Sequence, residues 1–295
     1  MLYLAGSIVL TSYLTLAFKA IEKFRINAFQ AIVFNYCTCV VTGSFFNGEF
    51  PVHAATFREE WFKWALLMGA MFISFFNILS ITAQKIGIAV ASVANKLSLV
   101  IPFLFSIYLY NEKISLLKIT GIIIAVIAVI LTCWPGESFS RQQPSQKPNG
   151  VLLIILPAVL FFGSGLLDTL VKYTEQGFLN DNNKNTYLVT AFAVAASLGL
   201  TTLFLLVITG RQRVSYKSIL AGIGIGIPNY FSIWCLVHVL KDYTGNSSAI
   251  IPVNNMGIVL FSAVMAWILF REKLSGLNWL GIILSIGAIA LIAFG

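Results

Sequence analysis

The sequence predicts an all-α integral membrane protein of about ten transmembrane helices, arranged as two inverted five-helix repeats. Three observations predict this fold class. Of the 295 residues, 58% are hydrophobic and only 10% are charged, whereas roughly 25% of residues are charged in a typical soluble domain. Apolar runs long enough to cross a bilayer recur along the whole chain. One long segment also occurs twice, at a constant offset.

The predicted spans are apolar runs that end at a charge, Gly, Pro or Asn. A helix needs about 20 mostly apolar residues to cross the hydrocarbon core, so each run of that length is interpreted as one span. The first run has no basic residue before its apolar core, so it is expected to stay as a helix rather than act as a signal peptide. The spans are approximately residues 2–18, 29–46, 62–83, 89–110, 115–134, 150–172, 187–209, 216–240, 246–270 and 276–294.

The duplicated segment runs from residue 89 to residue 131, and its second copy runs from 249 to 291. Both copies contain the ungapped pattern Glu-Lys-x-Ser-x-Leu-x-x-x-Gly-Ile-Ile, 160 positions apart. This match is informative because charged residues are scarce in the chain. It predicts a duplicated two-helix unit with a charged hinge. The hinge residues are Glu112, Lys113, Glu272 and Lys273.

The clearest candidate linker is residues 135–149, which are rich in Pro, Ser and Gln. It divides the chain into a first five-helix repeat at residues 1–134 and a second at residues 150–295. Because each half has an odd number of spans, the second half is expected to enter the membrane in the opposite direction. Two similar halves of opposite orientation can exchange conformations, which is typical of transporters that alternate access.

The hinges and their surroundings resemble a known family. Asn-Glu-Lys-Ile-Ser at residues 111–115 and Arg-Glu-Lys-Leu-Ser at residues 271–275 each precede a glycine-bearing apolar helix. Over essentially its whole length, the chain resembles the ten-helix EamA-type branch of the drug/metabolite transporter superfamily. The resemblance implies export or exchange of small metabolites such as amino acids. It also implies a central cavity, lined mainly by the first, third, fourth, sixth, eighth and ninth helices.

Polar residues deep inside the predicted spans are the candidates for substrate binding, because an unpartnered polar group in hydrocarbon costs several kcal/mol. Lys96 lies about seven residues into its span, where its ammonium is expected to meet an anionic group of the substrate or, alternatively, to snorkel to the interface. Asn254 and Asn255 are the repeat equivalents of residues 94 and 95, so inversion predicts that the two pairs face each other across one cavity. The substrate-binding candidates are Lys96, Asn95, Asn254, Asn255, Asn229, Tyr230, Asn77 and Trp234.

Two other features of the spans indicate packing rather than chemistry. Asn35 in the second span is expected to hydrogen-bond a neighbouring helix. The small residues of Gly222-x-x-x-Gly226 in the eighth span predict a face on which another helix backbone packs closely.

The titratable residues argue against several functions. Among the carboxylates only Asp168 lies inside a predicted span, and a deep acidic residue in the first span, which would suit cationic drugs, is absent. The cysteines and histidines lack the spacing of a metal site or a catalytic triad, so no metal, cofactor or enzyme activity is expected. The basic residues lie mostly at the ends of the spans, which indicates membrane orientation rather than binding to nucleic acid.

Three functions remain open. The first is a secondary transporter, an exporter or exchanger of small anionic or zwitterionic metabolites such as amino acids, working by alternating access around a midplane cavity. The second is an exchanger or flippase of phosphorylated solutes or lipid-linked sugars, and the third is a non-transporting membrane scaffold. A second deep cation would favour phosphate, but Met256 stands at the position equivalent to Lys96. The expected partners are a small-molecule substrate, a proton or other coupling ion, and the lipid bilayer of the inner or plasma membrane.

Overall fold

The computed structural model describes residues 2–48, 50, 52–102, 104–105, 115–132, 134, 150–180, 183–242 and 247–294. Every regular element within these ranges is helical. A short 3-10 helix at Ala54–Arg58 precedes the third α-helix. The α-helices are α1 (Leu2–Lys23), α2 (Ala28–Asn47), α3 (Phe62–Lys85), α4 (Ile88–Leu97), α5 (Leu116–Thr132), α6 (Gly150–Phe178), α7 (Lys184–Ile208), α8 (Tyr216–Asp242), α9 (Ser247–Phe270) and α10 (Gly276–Phe294).

Seven of these helices are long and apolar enough to cross a membrane. Three shorter apolar helices lie at Ile88–Pro102, Ile119–Thr132 and Gly276–Ile292. The all-helical prediction is therefore confirmed for the described residues, and the long apolar helices indicate a multi-pass membrane protein. Each described α-helix overlaps one predicted span, although α4 covers only the first part of the span predicted at residues 89–110, and the predicted linker at residues 135–149 lies outside the described residues.

Several helix ends carry ordinary capping chemistry. At the start of α2, the Asn27 side chain accepts a hydrogen bond of 3.1 Å from the Gln30 backbone N–H. The same helix ends at Gly48, whose φ of 76° is the left-handed conformation that glycine adopts without strain. At the start of α10, Asn278 accepts from the Ser275 backbone N–H at 2.9 Å, and the Ser275 hydroxyl accepts from the Asn278 N–H at 3.2 Å. These local signals explain why the helices begin and end where they do.

The chain divides into two compact units. Unit 1 comprises Met1–Lys19, Ile78–Gly165 and Ser232–Gly295, and unit 2 comprises Ala20–Asn77 and Leu166–Phe231. Each unit therefore draws helices from both predicted repeats. Four helices, α1, α3, α6 and α8, contribute residues to both units.

The core of unit 1 is formed by residues of α4, α5, α9 and α10 and by Val100, which lies just beyond α4. Burial of such aliphatic side chains and close helix contact hold the four helices together. The fully or almost fully buried residues of this core are Ala89, Val93, Leu97, Val100, Ala125, Ala128, Val259, Ala263, Ile282, Ala288, Ile289 and Ile292.

Within this core, α5 and α10 pack through the two glycines that the sequence repeat makes equivalent. A Cβ at Gly281 would lie 2.9 Å from Ala128 O and 2.6 Å from Thr132 N. A Cβ at Gly121 would lie 3.1 Å from Ala288 O. The partners Ala128 and Ala288 are themselves equivalent positions, and the order of the contacts shows that the two helices run antiparallel. The corresponding helices of the two copies therefore make reciprocal contacts.

In unit 2, α2 and α8 pack closely, as the glycine pattern predicted. A Cβ at Gly222 would lie 2.9 Å from Ala31 O, and one at Gly226 would lie 2.7 Å from Asn35 O. The Asn229 side-chain amide on α8 donates a hydrogen bond of 3.1 Å to Asn35 Oδ1 on α2. The predictions of a close helix contact at these glycines and of an interhelical hydrogen bond at Asn35 are both confirmed.

Candidate functional site

The fourth predicted span contains a two-residue turn shortly after Lys96. Helix α4 ends at Leu97, and helical structure resumes at Val100 after a two-residue turn. The Ser98 hydroxyl donates to Asn95 O, so a side chain competes for a carbonyl that would otherwise continue the helix. Pro102 has no N–H to donate to Ser98 O, and that carbonyl accepts from Ile101 N at 2.9 Å instead.

The turn lies within the predicted span of residues 89–110, and Ser98 within it keeps right-handed helical dihedrals, with φ −56° and ψ −17°. A backbone contact from α6 accompanies it, because a Cβ at Gly165 would lie 2.8 Å from Ser98 O and 2.6 Å from Ile101 Cβ. Only glycine allows α6 to approach the interrupted backbone this closely. In transporters, discontinuous helices of this kind form substrate and ion sites, since their end groups can face a solute.

Lys96 occupies the last turn of the first segment of α4. Its side chain and that of Asn95 are half-buried, whereas Leu97 between them and the turn is fully buried. The carbonyl end of a helix carries a partial negative charge, which stabilises a nearby cation by roughly 0.3 to 1 kcal/mol. The end of α4 is therefore electrostatically complementary to a cation at this position.

The asparagine pair of α9 lies in the same unit. Asn254 is 3% exposed and Asn255 is 8% exposed. The residue that follows them, Met256, packs against the core cluster that also contains Leu97 and Val100. The Asn254 side-chain carbonyl oxygen has no hydrogen-bond partner among the described residues. Such an unsatisfied buried acceptor costs about 1 to 3 kcal/mol, so a ligand that donates a hydrogen bond to it would recover that cost.

Two serines add further unpartnered groups to the same helices. Ser92 on α4 and Ser262 on α9 are buried, and neither hydroxyl oxygen has a hydrogen-bond partner within the described ranges. Sequence reasoning missed both residues, because a serine in an apolar helix usually donates to its own helix backbone and gives no signal of its own.

Trp234 also lies in unit 1, in an aromatic cluster with Tyr3 and His238. Its ring centroid is 3.8 Å from that of His238 and 5.6 Å from that of Tyr3. His238 Nδ1 lies 2.9 Å from Trp234 O, and a carbonyl only accepts, so Nδ1 carries the proton and Nε2 is the acceptor of the neutral ring. Sequence reasoning found Trp234 but did not group it with His238, four positions along the helix, or with Tyr3, which is more than 200 positions away.

The other three substrate-binding candidates lie in unit 2, where they make helix contacts. The Asn77 side-chain amide donates to Ile73 O of its own helix at 2.7 Å. Asn229 bonds Asn35, as described above. Tyr230 is buried, with its ring 6.0 Å from that of Phe46. The structure therefore groups Asn95, Lys96, Asn254, Asn255 and Trp234 in one unit, and Asn77, Asn229 and Tyr230 in the other.

The hinge residue Glu272 lies at one end of unit 1 and is partly buried. Its two carboxylate oxygens accept the Ile88 backbone N–H at 3.0 and 3.2 Å. Burial raises the pKa of the Glu272 carboxyl, against the lowering effects of the Ile88 N–H, the nearby Lys19 ammonium and the Ala89 N–H. Lys273 is exposed, and the remaining hinge residues, Glu112 and Lys113, lie outside the described residues.

Comparison with known proteins shows relatives over nearly the whole chain. No protein-family model matches the sequence. The chain is 29% identical over 277 residues to an uncharacterized protein of Haemophilus influenzae, and the match covers 92% of this chain and 90% of that protein. One crystal structure of a protein aligns with a TM-score of 0.57 at 16% identity, covering 99% of this chain and 96% of the other. At that identity, the structural similarity shows a shared fold.

Proposed function

We propose that this protein is a secondary transporter, an exporter or exchanger of small anionic or zwitterionic metabolites such as amino acids. The observation that carries the proposal is the two-residue turn that follows α4, close to Asn95 and Lys96, in the unit where Asn254 keeps an unpartnered acceptor. We further propose that the chain belongs to the EamA-type branch of the drug/metabolite transporter superfamily, in the inner or plasma membrane of the cell.

The charge and the polar groups of this site suit such a substrate. A substrate carboxylate can form a charge-assisted hydrogen bond with the Lys96 ammonium at the end of α4. A donor group on the same solute can satisfy the Asn254 carbonyl oxygen, whose unpartnered state is otherwise unfavourable. A scaffold would gain nothing from buried acceptors left without partners, so the scaffold alternative is less favourable on energetic grounds.

The transport mechanism that we propose is alternating access by two inverted five-helix repeats, comprising ten spans in all. Its support is the pairing of α5 with α10, which run antiparallel and exchange equivalent contacts around Gly121 and Gly281. In a protein built from two inverted repeats, an outward-open conformation has an inward-open counterpart of similar energy.

A transport assay tests the function directly. Purified protein in proteoliposomes, loaded with candidate amino acids or organic acids, is expected to exchange at least one of them for its labelled form. Counterflow needs no external energy source, and repeating it with and without a pH gradient reports on proton coupling. Protein-free liposomes are the control. Selective uptake of lipophilic cations, with anions and zwitterions excluded, would contradict the proposed substrate class.

The inverted repeat predicts that the starts of α5 and α10 face opposite sides of the membrane. Leu116 is 82% exposed, and a Cβ at its repeat equivalent Gly276 meets nothing within 4 Å, so both positions should tolerate cysteine. In a chain whose four native cysteines are replaced by alanine, an impermeant maleimide added to one side of sealed vesicles should label only one of Leu116→Cys and Gly276→Cys. Labelling of both from the same side would rule out the inversion.

A further inference from the structure

One end of unit 1 is held together by a set of contacts that we call the Glu272 cluster: Phe18, Lys19, Gln84, Ile88 and Glu272. The Glu272 carboxylate accepts the Ile88 N–H at 3.0 and 3.2 Å. The Lys19 ammonium donates to Gln84 O, and the Gln84 side-chain amide donates to Phe18 O at 3.0 Å. These bonds connect the end of α1, the end of α3, the start of α4 and the connection between α9 and α10.

Within the cluster, Glu272 supplies a helix cap that α4 lacks in its own sequence. The position before α4 is Gly87, which has no side chain to accept the first backbone N–H groups of the helix. Glu272, 184 positions beyond Ile88, accepts the Ile88 N–H instead. Caps that accept these groups contribute roughly 0.5 to 2 kcal/mol to a helix, and a negative charge at this end also complements the helix dipole.

The glycine before α4 is required by this arrangement. Its φ of 144° is a conformation that side chains rarely adopt, and a Cβ there would lie 3.3 Å from Glu272 Oε2. The close approach of the Glu272 carboxylate to the Gly87 backbone therefore favours glycine at this position. Ile88 itself packs with Leu16 of α1 and Ala266 of α9 in a small apolar cluster. The Glu272 cap therefore lies next to a buried apolar contact between three helices.

We propose that Glu272 is a detachable cap of α4: it closes this end of unit 1 when it binds the helix start, and it must leave when the site opens to this side during transport. This inference rests on the proposed function. Lys96 lies eight residues beyond Ile88 on the same helix segment, or about 12 Å along its axis. Movement of the α4 start is therefore transmitted to the residue that we propose binds the substrate. Glu272 acts through α4, as a positioning residue.

The exposed charged residues near Glu272 favour reversible separation of its carboxylate from the start of α4. Lys19 is the charged group that interacts with the Glu272 carboxylate across the cluster. Lys85 at the end of α3 and the flanking Arg271 and Lys273 are all exposed. Water can therefore solvate the carboxylate and its basic neighbours once the contact opens, so separation does not strand a charge in hydrocarbon.

Cysteine accessibility tests the cap without requiring a known substrate. Ser80 is buried and accepts a hydrogen bond from Gln84 at 3.2 Å, so Ser80→Cys in a cysteine-free chain reports on opening at this end. Glu272→Ala should raise the rate at which an impermeant maleimide labels this cysteine by about fivefold or more, as loss of a helix cap implies. Glu272→Gln keeps an oxygen that can accept the Ile88 N–H, so its labelling rate should stay close to that of the unchanged protein.

Two comparisons make the result specific. Glu59→Ala, which removes an exposed carboxylate of unit 2, should leave labelling of Ser80→Cys unchanged. Ala191→Cys, at a fully buried site of unit 2, should stay unlabelled in the Glu272→Ala background. Equal labelling with and without the carboxylate would overturn the proposal, and so would simultaneous labelling at Ala191→Cys, which would mean that Glu272 stabilises the whole fold.

The same variants separate this inference from the proposed function. If proteoliposomes transport none of the candidate solutes while Glu272→Ala still opens the Ser80→Cys site, the transport proposal fails and the cap remains. If transport is observed, Glu272→Ala should lower the maximal rate more than the apparent affinity, because it shifts the closed state rather than removing a substrate contact. A maximal rate equal to that of the unchanged protein would contradict the cap's role in transport.

Discussion

Replacing Lys96 by Met should weaken transport by about tenfold or more. Met keeps most of the volume and apolar length of the lysine stem but removes the ammonium, so a substrate carboxylate loses a charged hydrogen bond of about 1.5 to 3 kcal/mol. Lys96 lies in the last turn of α4, where the partial negative charge of the helix end is complementary to its ammonium. Initial rates of counterflow at several substrate concentrations would measure the loss, which should appear mainly in the apparent affinity.

Two control variants and a stability measurement show whether this loss is specific to the ammonium of Lys96. Lys96→Arg should keep part of the activity, because the charge survives while the geometry of the head group changes. Lys85→Met changes an exposed lysine at the end of α3 and should transport normally. Thermal unfolding of Lys96→Met in detergent should differ little from that of the unchanged protein. Transport by the Met variant at the original rate and affinity would show that Lys96 only snorkels to the interface.

Placing a methyl group at Gly281 should destabilise the protein by about 1 to 3 kcal/mol. The Cβ of Gly281→Ala would lie 2.6 Å from Thr132 N and 2.9 Å from Ala128 O. Both are backbone atoms of α5, so the clash can be relieved only by moving one helix away from the other. Gly281→Val should be more harmful still. Thermal unfolding in detergent, followed by loss of helical signal or of monodisperse protein, measures the effect.

Gly287 on the same helix provides the matched control. A Cβ there meets nothing within 4 Å, so Gly287→Ala adds helix propensity without a clash and should be neutral or stabilising by up to about 1 kcal/mol. Equal destabilisation by the two alanine substitutions would mean that the close α5 to α10 contact does not contribute to stability.

The positions of the helices could be predicted because length and apolarity are local properties of the chain. The break in α4 could not be predicted in the same way. Pro157 and Pro228 lie inside continuous helices, so Pro102 alone does not indicate an interruption. What distinguishes the α4 region is the combination of Pro102 with the Ser98 hydroxyl and with a glycine brought in from α6.

The individual residues of the candidate site were predicted from the sequence, but their division between the two structural units was not. Depth within a span identifies a polar residue that needs a partner, as it did for Asn254 and for Asn35. It does not say which helix will supply that partner, and Asn229 found one on α2. Glu272 was found through the sequence repeat. Its role as a cap could not be read there, because the group it binds is a backbone N–H, which every residue except proline carries.

The reciprocal packing of α5 and α10 has a consequence for how the protein is made. About 140 residues separate the end of α5 from the start of α10, and a ribosome adds roughly 5 to 20 residues per second. The glycine face of α5 therefore lies in the membrane without α10 for on the order of ten seconds. During that time another helix with small residues could pack against this face of α5. Slower synthesis of the second half should therefore favour misassembly. A separately expressed helix with the sequence of α10 should compete with α10 for the same face.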